Sequence, residues 1–145
     1  MGAGYARNRG IEKAKGKAIL FLDVDDVLFP NALESMWSAF SPGGNYVYGG
    51  CAIIENDGAI KHNEARPYNQ LEWHMQNPVT VLMDTERVKS IMFDETMESW
   101  EDWDFFIRAA IRGYCGQPID VETLMYSLET GGRRMKMLDG SGAPS

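Results

Sequence analysis

A chain of 145 residues is long enough to bury one hydrophobic core and too short for two, so a single domain is expected. With 44% hydrophobic and 24% charged residues, and no apolar run near the roughly 18 residues of a membrane span, the sequence excludes a transmembrane chain. The formal net charge of −7 excludes broad binding to a nucleic-acid backbone, which needs clustered Lys and Arg to release counterions, and leaves room for a small anionic ligand held through a divalent metal.

The opening Met1-Gly2-Ala3-Gly4 has neither the basic flank nor the apolar core of a signal peptide, so a cytoplasmic location is expected. Tyr5, Ala6, Ile11 and Ala14 recur at near-helical spacing and predict a helix over residues 3–15 with Gly16 as its C-cap. The continuous apolar run from Ala18 to Leu22 predicts a strand buried on both faces. Ala32, Leu33, Met36, Trp37 and Phe40 follow as an amphipathic helix with Pro30 in its first turn, closed by Ser41-Pro42-Gly43-Gly44. A strand over residues 46–55 then meets the hairpin turn Asn56-Asp57-Gly58 and returns over residues 59–62. Residues 79–84 read as a strand and 85–91 as a short helix. Trp103, Phe106, Ile107 and Ala110 fall at i, i+3, i+4 and i+7 of a helix over residues 101–112 that Gly113 caps. A last strand runs over residues 119–126, and the Gly/Ser/Pro-rich stretch 139–145 reads as a flexible tail behind a domain of residues 1–138. Strands alternating with helices indicate a mixed α/β sheet. Cys51 and Cys115 belong to no CxxC pair, which argues against a zinc site or a disulfide framework.

Asp23-Val24-Asp25-Asp26 closes the first strand with three carboxylates, and unpaired burial of such groups is costly, so they need solvent or a counter-charge. Ligands of open α/β sheets bind at this edge, and two carboxylates one residue apart on a strand point the same way. That suits a hard cation, Mn²⁺ or Mg²⁺, which takes oxygen ligands and completes its shell with phosphate and water. Loop acids facing solvent and capping a helix are the plainer alternative.

A longer pattern surrounds these acids: Ala6-Arg7-Asn8-Arg9-Gly10-Ile11, Ala14-Lys15-Gly16, then Ile19-Leu20-Phe21-Leu22-Asp23-Val24-Asp25-Asp26 and Pro30. It resembles the signature of family 2 glycosyltransferases of the GT-A fold, whose form is ARNxGI followed by FLDxDD and Pro. Phe93-Asp94-Glu95 with Glu101-Asp102-Trp103-Asp104 and Arg108 is similar to the same family's second acidic helix. The acidic stretch alone is also similar to the first motif of haloacid-dehalogenase-like phosphatases, in which Asp23 would be the nucleophile and Asp25 a general acid/base. That family lacks a preceding ARN helix and carries a downstream Lys and a closing acidic motif, neither of which is clear here.

The glycosyltransferase resemblance implies a nucleotide-sugar donor, an acceptor hydroxyl and transfer with inversion. Asp23 and Asp25 would hold the metal on the diphosphate, Asp26 would brace the loop, and Arg7 would lie near the donor. Asp102 would be the general base, although a carboxylate at a helix start is also what the macrodipole favours. Trp100 and Trp103 offer sugar-stacking faces, with Trp103 on the apolar stripe and so a core residue by spacing. Trp73 and His74 fall in the middle segment where acceptor contacts are expected, although a lone His is usually a surface residue or satisfied by hydrogen bonds, so His74 is not counted in the site. Glu129 stands near the position of a family His, and Arg133 and Arg134 follow in a loop that could meet phosphate. The βα units that precede the ARN helix in the family are not in this sequence. The resemblance therefore implies a partial GT-A sheet with an uncovered edge at residues 19–23, open to a second copy or a completing chain, and a third reading as a non-catalytic binding module.

Overall fold

The computed structural model describes residues 2–69 and 77–127. Helix α1 spans Ala3–Lys13 and turns Gly4, Asn8 and Ile11 inward. It ends earlier than expected: Ala14 leaves the helix in an extended conformation and its N–H bonds the Ile11 carbonyl, so Gly16 is not the cap. Strand β1 covers only Ala18–Leu20. The expectation of a strand buried on both faces through Leu22 fails, because β1 ends the sheet order and Leu22 is 46% exposed. With no outer neighbour among the described residues, alternate apolar side chains go to two cores, Ile19 to one and Ala18 and Leu20 to the margin of the other.

A two-residue strand, β2 (Val27–Leu28), precedes helix α2 (Ala32–Ala39), whose inward residues are Ala32 and Met36; Pro30 lies before this helix rather than in its first turn. Strand β3 (Tyr46–Ile54) is the spine, and it returns as β4 (Ile60–Asn63) through a turn in which Gly58 takes φ +86°. Strand β5 (Leu82–Asp84) runs straight into α3 (Thr85–Ile91), where the Asp84 carboxylate accepts the Glu86 N–H and caps the helix. Helix α4 spans Glu101–Ile111, and Gly113 beyond it takes φ +80°. Strand β6 begins earlier than the sequence suggests, at Gly116, and reaches Ser127.

The sheet order is β1-β5-β3-β6-β2, with β4 also on β3. Among the described residues only the β3–β6 pair is parallel; the other pairs are antiparallel. Because β1 and β3 are both antiparallel to β5, their carboxyl ends lie toward the same edge. Residues 21–26 must then carry the chain from one end of the strand order to the other, across that edge. The alternation of β3 divides the interior. Tyr46 and Tyr48 face a core built with Ile11 of α1, Val88 and Ile91 of α3 and Phe105, Phe106 and Ala109 of α4, whereas Val47 faces Ala32 and Met36 of α2.

The β3–β6 register shifts around Gly50, and the glycine pair is crowded from two sides, Gly49 by β6 and Gly50 by the end of β4. A Cβ on Gly49 would strike the Val121 carbonyl and Thr123, and one on Gly50 would strike the Asn63 carbonyl. Gly50→Ala is therefore expected to lower stability by about 2 kcal/mol through overpacking against backbone, read as a fall in the urea midpoint with an unchanged m-value.

Candidate active site

The acidic segment does not lie on the strand that precedes it. Pairing of β1 with β5 stops at Leu20, and three residues later the chain turns, with the Asp26 N–H on the Asp23 carbonyl at 3.1 Å. Asp23 and Asp25 thus reach the sheet edge by a turn, not by strand alternation. Val24 at its tip is fully exposed and Asp25 is exposed, Asp23 is half-buried, and Asp26 is buried.

Arg7 projects from α1 into this turn. Its Nη2 donates to Asp23 Oδ1 at 3.3 Å and its Nη1 to Glu101 Oε1 at 3.1 Å, with the guanidinium 5.3 Å from the centre of the Phe93 ring. One side chain thereby joins the first helix, the acidic turn and the start of α4. Glu101 is buried, and sequence reasoning missed this partner. The expected inward stripe of Trp103, Phe106, Ile107 and Ala110 is rotated: the buried residues of α4 are Glu101, Phe105, Phe106 and Ala109, with Trp103, Ile107 and Ala110 only partly covered. The spacing of Glu101 four residues before Phe105 was the available signal, since it puts both on one face.

Asn8, one residue on, fixes the same assembly. Its amide nitrogen donates to the Phe93 carbonyl and to Glu95 Oε2, both at 2.9 Å, and its oxygen accepts the Phe93 N–H at 2.8 Å. Arg108 closes the other side, donating to the Ile91 and Met92 carbonyls at 3.0 and 2.8 Å while pairing with Asp104 at 2.9 Å.

Asp102 follows Glu101 on the first turn of α4, and its Oδ1 accepts the Trp103 N–H at 2.8 Å. Burial pushes its carboxyl above the usual carboxylate range; the Trp103 N–H pulls it back, the neighbouring Glu101 charge raises it further, and Arg7 opposes that rise. Trp100 opens the helix in a left-handed conformation, φ +63° and ψ 21°, which costs a bulky residue about 1–3 kcal/mol. Its ring meets Trp103 edge-on at 5.8 Å, and its Nε1 is buried with no hydrogen-bond partner among the described residues. Trp73, His74, Glu129, Arg133 and Arg134 lie outside the described residues. A cleft of about 420 Å³ runs along β3 and β4 from Gly49, Cys51, Lys61 and Asn63 to Arg66 and Asn77.

Among the described residues no cluster of three or more His, Cys, Asp or Glu side chains could enclose a metal. Asp23 and Asp25 supply two hard oxygen donors on one turn, which fits a cation that takes most of its shell from phosphate and water and not one held in an all-protein cage.

A glycosyl transferase family 2 model matches residues 1–97, and so takes in α1, the acidic turn and the segment held by Asn8. The chain belongs to glycosyl transferase family 2. That membership decides between the two motifs with which Asp23-Val24-Asp25-Asp26 agrees, against the phosphatase. An uncharacterised glycosyltransferase of Methanocaldococcus jannaschii is 25% identical over 139 residues, covering 88% of this chain and 48% of that protein. Another from Rickettsia bellii is 28% identical over 123 residues, covering 74% of this chain and 18% of that protein. The fold is similar to that of S. aureus TarS residues 1–349, with a TM-score of 0.63 at 20% identity, over 87% of this chain and 40% of that one; TarS has also been solved in complex with UDP. The chain thus spans about half or less of the relatives it matches, and its sheet is a GT-A-type mixed sheet. No helix among the described residues is long and apolar enough to cross a membrane.

The raised carboxyl of Asp102 has a consequence for stability. Because its folded-state pKa lies above the unfolded value of 3.8, the folded protein holds this proton more tightly, and the group destabilises the fold as pH rises through the raised pKa. Asp102→Asn is therefore expected to raise the urea midpoint at pH 7, with the gain fading as pH falls toward about 4; a gain that is equal at both pH values would contradict it.

Proposed function

We propose that this chain carries the donor-metal and catalytic-base portion of an inverting glycosyltransferase that moves a sugar from a nucleoside diphosphate to an acceptor hydroxyl. The observation that carries the reading is the Arg7 bridge: it ties the turn bearing Asp23 to the helix turn bearing Glu101 and Asp102, so a donor bound at one lies beside a base at the other.

In this reading Asp102 takes the proton of the acceptor hydroxyl as its oxygen bonds to the anomeric carbon. The bond from that carbon to the diphosphate oxygen breaks with its electron pair, and the nucleoside diphosphate leaves from the opposite face. A carboxylate whose pKa is raised by burial is a stronger base than one in water. Asp23 and Asp25 would hold a divalent cation, Mn²⁺ or Mg²⁺, of the kind that members of the family commonly use; when bound it neutralises charge on the departing diphosphate. Arg7 keeps Asp23 oriented beside the donor. The UDP complex of TarS makes UDP the first nucleotide to try.

Thermal unfolding with Mn²⁺ and UDP is expected to give a raised Tm that needs both components and is lost in Asp25→Asn, since a ligand that binds only the folded state must stabilise it. The absence of any shift across a panel of nucleoside diphosphates and nucleotide-sugars would sink the proposal. Asp102→Asn is expected to keep the shift while any sugar transfer falls by about 10²–10⁴-fold, measured as release of nucleoside diphosphate in the presence of acceptor.

A further inference from the structure

Glu101 and Asp102 place two acidic groups side by side at the start of α4, and the first of them is buried. The partial positive charge of a helix N-terminus offsets part of this, and Arg7 supplies a full counter-charge. The guanidinium rests over Phe93, which is stacked on Phe105 of α4 at 4.4 Å and meets Phe21 edge-on at 5.5 Å. Aromatic contacts thus fix the bed on which the guanidinium lies, and its two terminal nitrogens go to carboxylates from different elements. A planar fork of this kind cannot turn further toward one carboxylate without giving up the other.

The two bonds are unequal. The Glu101 side chain is 6% exposed and its bond measures 3.1 Å; that of Asp23 is 39% exposed and its bond measures 3.3 Å. We infer that Glu101 is a positioning residue for the donor side: it holds half of the Arg7 fork, so that Asp23, the more exposed of the two carboxylates, is oriented by the other half and can pass to a divalent cation carrying a diphosphate. The inference rests on the proposed donor reading and adds to it that the helix bearing the base also controls the metal carboxylate.

Titration calorimetry with Mn²⁺ and UDP tests this in the full chain. Glu101→Gln releases Arg7 to close entirely on Asp23, where it competes with the cation, and the affinity is expected to fall about tenfold. If Glu101 only steadied the first turn of α4, the loss would appear in turnover and acceptor KM while Mn²⁺–UDP affinity stayed within about twofold, and that result overturns the inference. In an Arg7→Gln background the same substitution is expected to change affinity by less than about twofold, because the residue through which Glu101 acts is gone; an undiminished tenfold loss there also overturns it. Should Arg7→Gln alone not fold, with Glu101 left buried and uncompensated, the double variant is compared with Glu101→Gln directly. It is expected to bind at least as tightly, and weaker binding refutes the idea. A wild type that binds no Mn²⁺–UDP removes the donor reading and this inference together, whereas a wild type that binds, with variants unchanged, removes the inference alone.

Discussion

A single guanidinium held among carboxylates determines how this protein is put together around its acidic residues. Arg7 cannot be left unpaired at its depth, since an isolated buried charge loses far more in hydration than packing returns. The same holds for Glu101. Each makes the other tolerable, and the need to keep them in contact dictates where α1 lies against the first turn of α4. Asn8 then locks residues 93–95 onto the same helix by three hydrogen bonds, so that the chain approaches α4 along a set path. The strained backbone of Trp100 belongs to that path: a left-handed residue persists only where its surroundings over-determine it.

Behind this assembly the sheet does the supporting work through one long strand. β3 is flanked along its length by β6, and on its other side first by β5 and then by β4. Its glycine pair sits where the register with β6 shifts, and it leaves room for β6 against Gly49 and for the end of β4 against Gly50. The two cores on either side of it are unlike. One is aromatic-rich and takes three helices, and it is the one on which the Arg7 bridge rests; the other is smaller and, among the described residues, is covered by α2.

Much of this was legible in the residues. The hairpin at Asn56-Asp57-Gly58, the extent of α3 and the cap at Gly113 follow from local chemistry that needs no distant partner, and they stand where the sequence puts them. The family pattern likewise pointed to Arg7 and to the acidic pairs. What the sequence did not disclose depended on neighbours. An apolar run such as residues 18–22 reads as doubly buried, but its length as a strand is set by where β5 begins, so the acids came to lie on a turn. The face that α4 presents was misjudged by one step, because Glu101 looks like an exposed helix-start acid until its counter-charge from α1 is known. A buried ion pair leaves no periodic trace.

The Arg7–Glu101 contact joins positions 94 residues apart, and that distance along the chain has a bearing on how the protein comes into being. Closing so long a loop carries an entropy cost before any contact rewards it, so the helices and hairpin can form early while the acidic turn still lacks its partner. During synthesis α1 and Asp23 emerge well before Glu101 exists. The assembly around Arg7 is therefore a late event, completed only once α4 has docked, and a chain interrupted ahead of that helix would keep its acidic motif while lacking the Glu101 half of the Arg7 bridge.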